Sequence, residues 1–228
     1  SYVGSGKVDA QFNFNLYDAA FEAFTQEGAT FDRLTKALEN SLKYYGHHHL
    51  MGNISGNQDK PRFASMASGH LSLIEDTKLA GWTREIPEPL ERGYRKMGCL
   101  HAFNIAVPGI PILYYGDEIA MHGGNDPDNR KMMNFERSRR QQELFDWIST
   151  LNNGRQNIMA LNYGSTTIKQ LGPHILIIVR QYLNEEVRFF FNNSHEDRHL
   201  DDWNITVPAD DHVVQSINCG SFFTHTDQ

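Results

Sequence analysis

Two short stretches concentrate side chains that donate, accept and carry charge. Asn57-Gln58-Asp59-Lys60-Pro61-Arg62 sets a carboxylate between amides and a guanidinium, and Gly123-Gly124-Asn125-Asp126-Pro127-Asp128-Asn129-Arg130 repeats that chemistry in a Gly-rich loop. A carboxylate accepts hydrogen bonds, a guanidinium only donates, and an amide does both. Together they suit a ligand whose own groups also do both. Gly123, Gly124 and Pro127 shape the turn that presents Asp126 and Arg130. Asp59 alone would read as an ordinary turn or cap residue.

Other candidates carry less. Gly4-Ser5-Gly6-Lys7-Val8 lacks the earlier glycine of a phosphate loop and has Val8 where a metal-binding hydroxyl is needed, so no nucleotide site is expected. His47-His48-His49 are adjacent, and adjacent side chains at a helix end diverge, so they are not expected to share a metal ion. Cys99 and Cys219 have no metal-ligand spacing and are expected to be two free thiols.

The elements that must position these groups change character along the chain. Val8 to Phe14 alternates like a strand. Asp18 can cap a helix through Gln26, and Thr30 a second one carrying Phe31, Leu34, Leu38, Leu42 and Tyr45. The half-apolar run from His49 to Gly56, which ends in a polar loop, and the denser one from Ile110 to Tyr115 fit buried parallel strands. A helix is expected from Leu90 to Ala106 and another from about Arg139 to Asn152. From Ile158 onward only short β-rich runs follow: Thr166–Leu171, His174–Leu183, Val187–Phe191, Trp203–Val207 and Val213–Ile217. The expectation is an α/β domain over residues 1–155 and an antiparallel β-sandwich over 156–228, with Phe189, Phe190, Phe191 and Trp203 mainly in its core.

The two polar stretches, with Gly109-Ile110-Pro111-Ile112-Leu113-Tyr114-Tyr115-Gly116-Asp117-Glu118 before the second, resemble the last two strand-and-loop units of the α-amylase superfamily of glycoside hydrolases. That family's seventh strand is followed by Asn-His-Asp, often with an Arg three residues later; this chain keeps Asn57, Asp59 and Arg62 and departs at Gln58. An amide there can still donate but cannot become cationic. Residues 109–118 satisfy the eighth-strand pattern Gly-x-Pro-x-x-Tyr-Tyr-Gly-x-Glu, and residues 123–130 the pattern Gly-Gly-x-Asp-Pro-x-x-Arg.

The resemblance implies the C-terminal part of a (β/α)₈ TIM barrel, strands six to eight, with Val8 to Tyr17 as the sixth strand and the β-sandwich after it. It implies retaining cleavage of α-glucosidic bonds in starch-like oligosaccharides, or transfer by a glucanotransferase or glucosyltransferase of the same family; a non-catalytic binding or scaffolding relative is the alternative. Retaining chemistry needs two carboxyls about 5–5.5 Å apart. These are expected before Ser1, since a complete barrel alone takes roughly 250 residues. Asp59 matches the family's third acidic residue, which binds sugar hydroxyls as charge develops, and Asn57, Gln58, Arg62, Asp126 and Arg130 are expected to line the sugar cleft. Glu118 is expected to be a buried structural carboxylate held by backbone or an arginine, and Tyr114 and Tyr115 core and wall residues. No cofactor is expected of these residues, calcium being a candidate only for the complete enzyme.

Composition sets the remaining bounds. With 228 residues, 39% of them hydrophobic and 21% charged, the chain can bury a core. The net charge of −7 divides into −3 over residues 1–135 (13 basic, 16 acidic) and −4 over 136–228 (8 basic, 12 acidic), so neither half offers the basic surface that nucleic acid needs. The longest apolar run, Ile175 to Val179, falls far short of the roughly 20 residues of a membrane span. The expected partners are an α-glucan or maltooligosaccharide, and either the missing barrel half or a second copy covering the open strand edges.

Overall fold

The computed structural model describes residues 3, 6–194, 196, 212–217 and 221–227, the last two spans by their backbone. Three backbone segments run parallel, side by side. Residues 11–13 meet β1 (Gly52–Ile54) through Asn13 N to Gly52 O and Gly52 N to Gln11 O, both 2.9 Å. β1 pairs with β2 (Ile110–Ile112) in the register Gly52 to Ile110 and Ile54 to Ile112. Gly52 is required at this crossing, since a Cβ there would lie 2.6 Å from Ile112 Cδ1 and 3.0 Å from the Phe12 ring. β1 is wholly buried as expected, but β2 is not: it is the outer strand among the described residues and Ile110 is 45% exposed.

Parallel neighbours need long crossovers, and helices supply them. α1 (Phe14–Thr25) and α2 (Asp32–Tyr45) lead to β1; α3 (Phe63–Ala67), α4 (Thr77–Thr83) and α5 (Glu91–Ala106) lead from β1 to β2. α1 starts four residues before the cap expected at Asp18, because Asn13 takes that role: its Oδ1 accepts from Leu16 N and its Nδ2 donates to Ser41 Oγ at 2.9 Å. The expected first strand is reduced to residues 11–13 beside β1 and a separate parallel bridge between Val3 and Val8. Thr30 does not cap α2 either; Phe31 holds that position and the Thr30 hydroxyl donates to Asp32 at 2.8 Å.

α5 buries 12 of its 16 residues because it has neighbours on several sides: α3 and α1, α6 (Arg139–Asn157), and the C-terminal sheet. One of those residues, Cys99, is disulfide-bonded, and among the described residues no cysteine is free, which corrects the expectation of free thiols. Spacing in sequence says nothing about which residues a packed helix meets. α6 opens on a capping box between Ser138 and Gln141 and runs five residues past the expected end at Asn152. α7 (Met159–Tyr163) follows it where only strands were expected.

β3 (Ser165–Leu171), β4 (Ile175–Tyr182), β5 (Glu185–Asn192), β6 (His212–Ile217) and β7 (Ser221–Asp227) form one antiparallel sheet in the order β3-β4-β5-β7-β6. The expected sandwich is, among the described residues, this single sheet. The expected run from Trp203 to Val207 lies outside the described residues. One face sends Leu176, Ile178, Val187, Phe189 and Phe191 into the cluster that also holds Phe24 and Phe103, with ring centroids 6.0 and 6.1 Å from Phe191. Among the described residues, Ile175, Ile177 and Phe190 form a second, smaller buried cluster, with Leu171 and Val179 packed against it. The core is therefore continuous from the helices into the sheet.

Two arginines tie this seam together. Arg155 donates to Ile105 O at 2.8 Å and Gly109 O at 2.6 Å, and Arg180 to Ala106 O at 3.1 Å and Gly164 O at 3.0 Å. Ile105 and Ala106 close α5, where carbonyls lack helical partners and the helix dipole is negative.

Candidate functional site

The site grows out of the ends of β1 and β2. Ser55, buried directly after β1, accepts from Tyr114 N at 2.9 Å and donates to Asp117 Oδ2 at 2.6 Å, locking the two strand ends together. The chain then turns: Asn57 Oδ1 accepts from Asp59 N at 2.8 Å, a side chain mimicking a backbone turn, and Gln58 Nε2 approaches Asp59 Oδ2 at 3.1 Å.

Arg62 does not line a cleft, which corrects the sequence expectation. It is 2% exposed and its guanidinium is turned inward: Nε donates to Asn129 O at 2.8 Å, Nη1 to Tyr115 O at 2.7 Å and Asp117 Oδ1 at 3.0 Å, and Nη2 to Met121 Sδ at 3.2 Å. The Tyr114 and Tyr115 rings flank it, with centroids 4.4 and 4.9 Å from its central carbon. A planar fork with five donors suits a position where several acceptors converge, and here they come from the segment after β2 and from the Gly-rich loop. The carboxylate it holds is Asp117, not Glu118. Burial pushes the Asp117 carboxyl up to about 6, against the pull of Arg62 and Ser55. Glu118 is half-buried with Oε2 lacking a hydrogen bond.

Asn129, which sequence reasoning passed over, is the second fastener. Fully buried, its Nδ2 donates to Gln58 O at 2.8 Å and Lys60 O at 2.7 Å, with Asn57 O at 3.5 Å. Its signal in the sequence was faint: an amide among charged residues in a Gly-rich loop. Above it stand the exposed charges. Arg130 Nε lies 3.0 Å from Asp126 Oδ1, and Arg130 Nη2 lies 3.7 Å from Asp59 Oδ1; Asp126 Oδ2 in turn lies 3.5 Å from Lys78 Nζ on α4. Arg130 also donates to Gln58 O at 3.3 Å.

The structure thus brings Asn57, Gln58, Asp59, Asp126 and Arg130 to one surface and puts Arg62 beneath it. The charges alternate from Asp59 to Arg130 to Asp126 to Lys78, and the Asp59 side chain is 69% exposed. Exposed pairs of this kind contribute about 0–1 kcal/mol each, so an incoming hydroxyl can exchange with any of them at little cost. Among the described residues no group of three or more His, Cys, Asp or Glu side chains could hold a metal ion. His49 instead accepts from Met51 N at 3.2 Å, and burial holds its imidazole down to about 4.

No family model matches the chain. It is 28% identical over 199 residues to a cyclomaltodextrinase of Geobacillus thermopakistaniensis, covering 86% of this chain and 30% of that protein. It is 26% identical over 215 residues to alpha-amylase 1 of Schwanniomyces occidentalis, covering 92% and 37%. The chain therefore spans about a third of the length of these curated relatives. The crystal structure of an alpha-amylase from Geobacillus thermoleovorans complexed with acarbose superposes with a TM-score of 0.69 at 24% identity, over 97% of this chain and 48% of that one. With the loop chemistry above, these likenesses identify the chain as a relative of the α-amylase superfamily of glycoside hydrolases.

Proposed function

We propose that the chain supplies barrel strands six to eight and the C-terminal sheet domain of an α-glucan-active, retaining glycoside hydrolase, and that Asp59 acts on the substrate while the nucleophile and the acid/base come from residues preceding Ser1. One observation carries this reading. Asp59, Arg130 and Asp126, drawn from two loops, meet within 3.7 Å on a surface fixed by Arg62 and Asn129. A carboxylate and a guanidinium so placed can accept from one sugar hydroxyl and donate to the next, and such bonds accelerate cleavage when they strengthen as the oxocarbenium ion forms.

The strand edges support the same reading. Phe12 and Phe14 are 47% and 45% exposed beside the first parallel segment, and Leu113 is 37% exposed after β2. Parallel strands are normally covered on both faces and paired at their edges, so these side chains suit contact with further barrel residues.

The experiment compares two proteins on maltoheptaose. The 228-residue chain releases no reducing ends, because Asp59 cannot be nucleophile and acid as well. In a polypeptide that also contains the preceding barrel residues, Asp59→Asn lowers kcat by at least about 10³, some 4 kcal/mol of transition-state stabilisation. A loss below tenfold, or Asp59-dependent cleavage by the chain alone, would overturn the assignment. Product analysis in the same assay separates hydrolysis from transfer to a second sugar.

A further inference from the structure

Helix α4 has seven residues and buries only one side chain, Ala80, so it contributes little to the core. It is nevertheless fastened firmly. Asp76 caps it, accepting from Lys78 N and Leu79 N at 3.0 Å each. Thr77 O accepts from Asn125 N at 3.0 Å, and at the far end Arg84 Nη2 donates to Glu75 Oε2 and His70 O, both at 2.9 Å. Glycines bring the helix backbone against the loop that carries Asp126 and Arg130. A Cβ on Gly81 would stand 2.8 Å from Asp128 Cβ, and one on Gly124 would stand 3.1 Å from Gly81 Cα.

Residues three and four apart share a helix face, which puts Lys78, Gly81 and Trp82 together. Lys78 reaches Asp126 and Gly81 abuts Asp128, so the third member of that face, Trp82, stands at the rim of the same loop. Its indole is 68% exposed and has no ring contact with another side chain among the described residues. Indoles of this size are highly buried on average, and nothing in the packing of α4 accounts for this one.

We infer that Trp82 is a stacking platform for a glucose unit of a longer α-glucan, one step outward from the unit held by Asp126 and Arg130. The inference rests on the functional reading above. The chemistry fits a pyranose: its axial C–H hydrogens carry slight positive charge and meet the negative face of the indole, while its hydroxyls point outward to Lys78 and Asp126. The site therefore takes chains of several units and adds little for a short sugar that ends at Arg130.

Calorimetric titration of the 228-residue chain with maltose and with maltoheptaose tests it. Trp82→Ala weakens maltoheptaose binding about tenfold and leaves maltose nearly unchanged, whereas Asp126→Ala weakens both. Trp82→Phe keeps binding within about threefold, since a smaller ring still stacks. Maltoheptaose also shifts indole fluorescence in the wild type and not in Trp82→Ala. Equal maltoheptaose affinity in Trp82→Ala and wild type, with Asp126→Ala weakened, overturns the platform and leaves the functional reading standing. No binding of either sugar to the wild type overturns both.

Discussion

The chain buries two arginine centres in different ways. At the loop cluster, Arg62 meets a carboxylate, two carbonyls and two aromatic rings, and both partners of its ion pair with Asp117 are 1% exposed. At the seam between helices and sheet, Arg180 and Arg155 meet carbonyls alone among the described residues, chiefly those that end α5, and they repel each other. Burial and that repulsion pull Arg180 down to about 9, and burial pulls Arg155 down to about 10. A guanidinium remains charged at neutral pH even so, and among the described residues these two cations are balanced by a helix end rather than by a counter-ion. The paired arginine holds two loops in one geometry beneath Asp59 and Asp126, while the other two join helix to sheet.

The sharpest way to break this comparison is to remove one arginine from each centre. Arg62→Met leaves Asp117 buried without its partner and should cost about 3–5 kcal/mol of stability by urea denaturation. Much of that loss should return in Arg62→Met/Asp117→Asn, because the stranded charge is gone. An unchanged urea midpoint for Arg62→Met would show that the pair contributes nothing.

A second effect, of about 3 kcal/mol, lies between the two centres. His101 on α5 is buried, with Nε2 lacking a partner, and burial lowers its imidazole to about 4 from the ordinary 6.5. In the window from pH 6.5 to 4 the folded state binds fewer protons than the unfolded chain, so stability is fully present above pH 6.5 and falls as pH drops toward 4. Asp117, whose folded value is raised, acts in the opposite sense over part of that window. The readout is therefore the stability of wild type minus that of His101→Gln, which should fall by about 3 kcal/mol from pH 7 to 4. A difference that stays flat with pH would show that His101 titrates as it does in water.

The smallest effect belongs to the seam. Arg180→Met should cost only about 1–2 kcal/mol, since it orphans the carbonyls of Ala106 and Gly164 but also removes a buried cation with an unpartnered Nε. A loss as large as that of Arg62→Met would mean that a helix end balances a guanidinium as well as a carboxylate does.

The candidate site was legible in the sequence as a pair of polar loops, where its chemistry is local. Asp59 with Asn57, and Asp126 with Arg130, sit a few residues apart in loops, and their types and spacing are enough to mark them. What the sequence does not carry is direction. Arg62 is as polar as Arg130 on paper, and only the convergence of Tyr115 O, Asn129 O and Asp117 draws it inward. Asp117 and Glu118 are neighbours of one charge, and the Ser55 hydroxyl behind the strand ends decides which is held. The helices from Glu91 and Arg139 follow from periodicity, whereas the single five-stranded sheet and the tethering of Cys99 depend on contacts between residues far apart in sequence.

Asn129 has a consequence for motion. Its amide grips the backbone of residues 58 and 60 from the other loop, so neither loop can swing outward without releasing the other. The two loops should fluctuate as one unit, opening together or remaining closed together. Their relative freedom is then given up when the chain folds, and a ligand arriving at the rim has little left to immobilise.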